Sequence, residues 1–487
     1  MSRINTNVSS LIAQNNLARS NTELATSLQR LSTGLRINRG ADDPAGLIVS
    51  ERLRTEIQGV GQAIDNIERA SNVIATAEGS LNEINTLLVD MKSLIVEAAN
   101  TGGFSKEEIA ANQLQIDSAI DSITRIANTT SFAGLKLLNG SLDYINSGVA
   151  TSQIADLKLL GVNFGTNSSV PVTVEVLNSA ETASLLISAT GATGSAIQSS
   201  VTFEIAGTLG NEVFEFTSGT ATSAIVFGIN SVSDALGVSA SLVNTSGIQI
   251  NSTTFGSDSF VSVRKLSNAT TNFFTLDAPA GSQVNRDTGE DVLALVNGSL
   301  ALGDGLDLSL RTSTLNLELS LTSGAAQTVN TPYTFTVTGG GATYQIGPSV
   351  NTQQQIGFGI QSVAAANLGN SVVGYLSSLK TGGSASLVNG DAADQARTAS
   401  AIADESINQV SILRGRLGAF ERNTLQATLR SSQIALENLT ASESSIRDTD
   451  FAQETANLTR VQILQQAGTS TLAIANSTAQ SVLSLLG

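Results

Sequence analysis

Residues 458–487 read LTRVQILQQAGTSTLAIANSTAQSVLSLLG, and this stretch decides the fold. Its Leu458, Val461, Gln465, Gly468, Leu472, Ala475, Ala479, Val482 and Leu486 alternate steps of three and four, the spacing of one helix face. After Arg460 the remaining 27 residues carry no charged side chain. A helix lying on a membrane surface needs Lys and Arg on its polar face, and residues 461–487 have none. A lone two-helix coil exposes one side, which is ordinarily charged. Here Gln, Ser, Thr and Asn stand on that side, and uncharged polar groups cost far less to bury than ions. The reading is a helix enclosed by many neighbours in an assembly and poorly ordered without it.

The other terminus repeats the pattern. Ile4, Val8, Leu11 and Ala18 form one stripe, and Leu17, Leu24, Leu28, Leu31 and Leu35 form a second, offset by about one position. Further in, Asp42-Asp43-Pro44 marks a helix start and Thr101-Gly102-Gly103 an end. Between them Ile57, Val60, Ile64, Ile67, Ile74, Leu81, Ile84, Leu88, Met91 and Ile95 keep a period near 3.5, so Pro44 to Asn100 is predicted as a rod roughly 80 Å long. Ser105 and Glu108 have capping-box spacing and open another helix carrying Ile109, Ile116, Ile120, Ile123 and Ala127 on one face. Leu135, Leu137 and Leu138 before Asn139-Gly140 suggest a hairpin. Val410, Leu413, Leu417, Phe420, Ala427 and Ile434 return to the helical period.

The middle differs. Val201–Ile205, Val213–Phe216 and Tyr333–Val337 have strand composition, separated by Gly-, Ser-, Thr- and Asn-rich runs, and ten of the 15 Phe lie between 166 and 389. Phe227-Gly-Ile-Asn-Ser-Val232 is echoed by Phe358-Gly-Ile-Gln-Ser-Val363, either a duplicated β-module or biased composition repeating itself. The fold class is therefore α+β: helical ends around a β-rich insertion.

Of the 487 residues none is Cys, His or Trp, which excludes disulfides and thiolate or imidazole chemistry. The net charge of −16 argues against nucleic acid as a partner. Residues 1–165, 166–389 and 390–487 contribute −4, −9 and −3, so the middle holds most of the excess. No stretch has the roughly 18 consecutive apolar residues of a bilayer span, and the first residues do not read as a cleaved secretory signal.

The runs SLQRLSTGLRINRGADDPAGLIVSERL (27–53), NTTSFAGLKLLNG (128–140) and SSIRDTDFAQETANLTRVQILQQAGTSTLAIANSTAQSVLSLLG (444–487) closely resemble bacterial flagellins. The resemblance covers roughly the first 165 and last 95 residues; the middle matches only as a Ser/Thr/Gly-rich β insert. It implies a structural filament subunit, not an enzyme, without metal or cofactor. By analogy 1–41 with 455–487 would be a terminal coiled-coil core, 42–170 with 395–454 a helical rod with hairpin, and 171–394 a solvent-facing variable domain of one or two subdomains. Copies of itself would be the main partner, and contacts that do not close a ring give a helical fibre. The resemblance further implies export, unfolded, through the flagellar type III apparatus to an extracellular filament. An export chaperone would bind Leu458 to Leu486, and the filament cap and hook-associated proteins would be neighbours.

Expected core-packing positions are Leu24, Leu28, Leu31 and Leu35 with Leu458, Val461, Leu472, Ala475, Ala479, Val482 and Leu486. Candidate subunit contacts are Arg36, Asp42, Asp43, Arg414, Arg447, Asp448 and Asp450, against the plainer reading that Asp42 and Asp43 cap a helix, Arg447, Asp448 and Asp450 decorate a loop, and Arg36 and Arg414 are solvated. Many flagellins engage an animal innate receptor through the first rod helix. In the matching stretch Leu88 and Leu94 are present, but Asp90 stands where receptor-activating members have arginine. Asn244, Asn251 and Asn268 head N-x-S/T triplets, which arise by chance in Ser/Thr-rich sequence. Competing functions are a hook–filament junction protein and an adhesive insert. A metallopeptidase insert is excluded, because H-E-x-x-H requires histidine.

Overall fold

The structure, a computed structural model, describes residues 6–484 apart from 166, 190–195, 198, 244–246, 268–272, 278–281, 313 and 391; for 188, 189, 273, 274 and 478–484 only the backbone is described. The chain divides into two compact units, one of Met1–Ala70, Gln345–Gln354 and Arg422–Gly487, the other of Ser71–Tyr344 and Gln355–Glu421.

In the first unit, helix α1 (Val8–Thr33) opens on Asn7, whose side chain accepts from the Ser10 N–H, and closes on Gly34 at φ 74°. The left-handed conformation suits a residue without Cβ and lets the Gly34 N–H reach the Arg30 carbonyl. Helix α2 (Pro44–Ala98) is 55 residues, roughly 80 Å at 1.5 Å per residue, and it begins here and continues into the second unit. Asp43 Oδ1 accepts the Gly46 N–H at 2.9 Å, and Pro44 takes the first position, where its missing N–H is no loss.

In the second unit the remainder of α2 buries Ile74, Leu81, Ile84, Leu88, Met91 and Ile95. Helix α3 (Lys106–Thr129) has the capping box of Ser105 and Glu108 and buries Ile109, Ile116, Ile120 and Ile123. Helix α4 (Ala392–Phe420) buries Ile402, Val410, Leu413 and Leu417 and is tied to α2 by the Lys92–Asp404 ion pair. A π-helical turn, Glu421–Leu425, leads to α5 (Gln426–Arg447) and then α6 (Phe451–Ser484), both in the first unit.

The hairpin after α3 turns elsewhere than at Asn139-Gly140. Ser131–Phe132 pairs with Leu135–Lys136 across Ala133 (φ 49°) and Gly134 (φ 86°). Positive φ at both centres is the type I′ geometry, one of the two that match strand twist in a two-residue loop, and this pair supplies it. Leu137 and Leu138 are fully buried instead of lying in a ladder, which leaves Asn139-Gly140 to redirect the chain.

The middle holds an eight-stranded antiparallel sheet in the order 144–147, 332–340, 170–178, 293–296, 299–304, 307–311, 315–321, 154–162. Its core includes Val172, Val174, Leu317, Leu319, Phe335 and Val337. Two four-stranded sheets, 273–276/182–189/247–255/238–242 and 286–288/260–265/201–207/211–216, share a second core with Phe203, Ile205, Ile225, Ile250 and Val263. The quoted strand segments all lie in strands. The echoed hexapeptides do not share a structure: Phe227–Asn230 closes the helix Thr222–Asn230, whereas Phe358 ends a strand and 359–363 is irregular. The repetition is compositional. No described helix is long and apolar enough to cross a membrane.

Candidate functional site

Helices α1 and α6 lie antiparallel, and the line along which they meet mixes leucine and valine with small and polar residues. Buried or half-buried along α1 are Ser10, Ala13, Leu17, Ser20, Leu24, Ser27 and Leu31, and along α6 Glu454, Leu458, Val461, Gln465, Gly468, Leu472 and Ala475, with Thr26, Gln29, Arg30 and Asn457 half-buried beside them. Both sets alternate steps of three and four, as in a coiled coil. Hydrogen bonds join them: Asn7 Nδ2 to the Ala475 carbonyl at 2.9 Å, Ser10 Oγ to Asn476 Oδ1 at 2.7 Å and Gln465 Nε2 to Asn21 Oδ1 at 2.8 Å. Ser27 Oγ donates to the buried carboxylate of Glu454.

Other large apolar side chains face outward. Leu11, Ile12 and Leu28 of α1 and Ile463, Leu464 and Ile474 of α6 are exposed, from 47% to 65%. Leu28, expected in the packing stripe, is thus off the seam, because the three-four spacing from Leu24 runs to Ser27 and Leu31. Leu35 lies beyond the Gly34 cap and bridges to Asp448. Ala479 and Val482 continue the helix without described side chains, and Leu486 lies outside the described residues. Exposed isoleucines and leucines in a segment without ions form a surface that water hydrates poorly.

At the base of the pair, chain segments 34–51 and 444–454 are laced together. The Arg36 N–H donates to the Arg447 carbonyl at 2.7 Å, the Thr449 N–H to the Gly34 carbonyl at 2.9 Å, and the Arg36 guanidinium to the Ile446 carbonyl. Arg447 Nη1 meets Glu51 Oε1 at 2.9 Å. Asp42 Oδ2 accepts the N–H groups of Arg39 (2.8 Å) and Asn38 (3.0 Å), which hold its carboxyl below the ordinary value of 3.8. Asp450 Oδ1 accepts from the Ala452 and Gln453 N–H groups and so caps α6; Asp448 Oδ2 accepts from Ser444 Oγ. Six of the seven candidate contacts therefore gather here, all bonded within the chain.

Arg414 does not join them. It lies on α4 with its Nε buried and without a hydrogen-bond partner among the described residues. Nearby in sequence, Arg416 sits over the Phe358 ring at 5.3 Å, and burial lowers its pKa. On α2, Leu88 is fully buried, Leu94 half-buried and Asp90 exposed. Of the N-x-S/T asparagines, Asn251 is half-buried in a central strand with its Oδ1 buried; Asn244 and Asn268 lie outside the described residues. Among the described residues no three acidic side chains gather as a metal site.

Gln113 was not singled out by sequence. Fully buried on α3, it donates to the Leu379 carbonyl (2.7 Å) and Asp117 Oδ1 (2.8 Å) and accepts from the Leu387 N–H (2.8 Å) and Ser386 Oγ (3.2 Å). A Gln breaking an isoleucine stripe is the only trace it leaves in the sequence.

Residues 4–143 match the model of the bacterial flagellin N-terminal helical region, 400–486 that of the C-terminal helical region, and 202–254 the flagellin hook IN motif. The chain is 30% identical over 538 residues to the B-type flagellin of Pseudomonas aeruginosa, covering 99% of each. It is 30% identical over 520 residues to flagellin of Salmonella typhimurium, again covering 99% of each. Among solved structures, the D1-D2-D3 domains of the Escherichia coli flagellar cap protein match 46% of this chain and 64% of that one, at 20% identity and a TM-score of 0.29. With both terminal regions matched and full-length relatives at this identity, the chain belongs to the bacterial flagellins, the subunits of the flagellar filament.

Proposed function

We infer that the paired termini, 1–41 with 455–487, form the innermost layer of the polymer, that 42–170 with 395–454 form the next, and that 171–394 faces solvent. The observation that carries this is the outward set of large apolar side chains on α1 and α6, on a surface where residues 461–487 supply no charge. Each exposed leucine or isoleucine enclosed by neighbouring copies gains about 1.5–3 kcal/mol, and dozens of copies sum this into a stable tube. Placing the segment with charge −9 outermost spaces like charges most widely and lets salt screen them.

Delivery follows from the same surface. A chain without cysteine threads a narrow channel with no cross-link to obstruct it. The filament and its end proteins, the cap and the hook-associated junction, are extracellular partners in this reading. An export chaperone covering α6 would keep its apolar side chains from associating early. Against engagement of an animal innate receptor stand the Asp90 carboxylate and the burial of Leu88. The family is structural, and no catalytic role is assigned.

Electron microscopy of purified protein after salt- or seed-induced polymerisation tests the reading. The full chain should form straight or supercoiled tubes, and a chain ending at Arg460 should form none. Tubes from the shortened chain would overturn it.

A further inference from the structure

A three-four seam fixes a face but not a register, because sliding one helix by seven residues restores the same pattern. The α1–α6 seam has this weakness: Ser20 and Ser27 stand one heptad apart on α1, and Gln465, which bonds Asn21, would find Gln14 after a one-heptad slip. Something must therefore choose between Ser27 and Ser20 as the partner of Glu454.

We propose that Glu454 is the register-determining residue of the terminal helix pair, reading the charge three residues beyond each serine. In the observed register Glu454 accepts from Ser27 Oγ and its Oε2 lies 3.7 Å from Arg30 Nη1. Slipped by seven toward the N-terminus it would meet Ser20, but the residue in the place of Arg30 is Glu23. Attraction becomes repulsion between carboxylates, one of them buried. Slipped the other way, Glu454 would face Gly34 and Ile37, with neither hydroxyl nor cation, and α1 ends at Thr33. A buried charge left without a partner is strongly unfavourable, so one register is accepted and both neighbours are rejected. The Arg30 Nε is itself buried with no hydrogen bond among the described residues, and besides Glu454 the Asp42 carboxylate is close enough to act on its charge.

Register can be read directly, because the chain has no native cysteine. A Cβ placed on Gly468 would stand 3.8 Å from the Leu17 Cβ, within the span of an unstrained disulfide. The Leu17→Cys/Gly468→Cys chain reports the observed register, and Ser10→Cys/Gly468→Cys reports the slip. Under mild oxidation of the full-length chain assembled in filaments, intrachain product should form with the first pair in excess by about tenfold or more. Exchanging the two charges, Glu23→Arg with Arg30→Glu, should reverse that preference toward the second pair while leaving total helicity unchanged. Glu454→Gln should reduce the discrimination without reversing it. No intrachain product in the parent, equal yields from the two pairs, or an unmoved preference in the exchanged chain would each overturn the assignment. The inference rests on the terminal pairing proposed above. Filament growth, scored separately by microscopy, reads that pairing's role in assembly and not its register.

Discussion

Replacing Gln113 by leucine keeps side-chain volume nearly constant and removes all four hydrogen bonds of a fully buried amide. The Leu387 N–H and the Leu379 carbonyl are then left in the interior without those partners. Each such group costs about 2 kcal/mol, and burying leucine in place of the amide returns about 1 kcal/mol, so the net loss is about 3 kcal/mol. A chain of two compact units has no single unfolding free energy, so the loss should be read locally. Peptide-resolved amide hydrogen exchange of the full chain is the assay. The segment 376–390 should exchange about 100-fold faster, since 1.4 kcal/mol is a factor of ten, while the eight-stranded sheet is unchanged. Acceleration of less than about threefold would mean that Gln113 does not hold this segment to α3, and would refute the reasoning.

A methyl group on Gly303 would fall 1.8 Å from the Val292 carbonyl oxygen, so Gly303→Ala should destabilise the eight-stranded sheet by about 3 kcal/mol or more, seen as a lowered melting transition, while tubes still assemble by microscopy. Arg447→Met removes the 2.9 Å pair with Glu51 while preserving most of the aliphatic stem, and should lower the urea midpoint of the terminal unit by an amount worth about 1 kcal/mol; an unchanged midpoint would show the pair to be idle. Burial raises the Tyr144 and Tyr344 hydroxyls above the ordinary 10.0. Their neutral forms therefore stabilise the fold fully below pH 10 and lose that contribution as pH climbs through the raised folded values. Phenolate absorbance lost on Tyr144→Phe should belong to a component titrating above 10.0, and one titrating at or below that value would contradict the burial argument.

Long helices were legible because their signals are redundant. Pro44, the isoleucine period and the glycines after Ala98 agree along α2, and Ser105 with Glu108 marks α3 before any packing is known. Strands such as 201–207 and 332–340 were legible for their alternation and aromatic content. The α6 half of its seam with α1 was legible as well, as the stripe Leu458, Val461, Gln465, Gly468, Leu472 and Ala475. On α1 the leucines told only part of the line: Leu24 and Leu31 stand on it with Ser27 between them, whereas Leu28 points outward. Charged positions near 36–51 and 444–454 were found as a set, but their capping and cross-strand geometry depends on segments about 400 residues apart, which no local pattern encodes. Gln113 was hidden for a related reason: its four partners come from its own helix and from 379–387, and a polar residue on an apolar face reads from sequence only as an interruption.

Asn7 and Ala475 meet across 468 residues of chain. A ribosome makes the first of these long before the second, so for nearly the whole of translation α1 has no α6 to pair with. The sticky surface is split between an early and a late segment and exists as a unit only once α6 has been made. A prematurely terminated product therefore lacks half of the surface and would be excluded from the growing fibre by its own incompleteness.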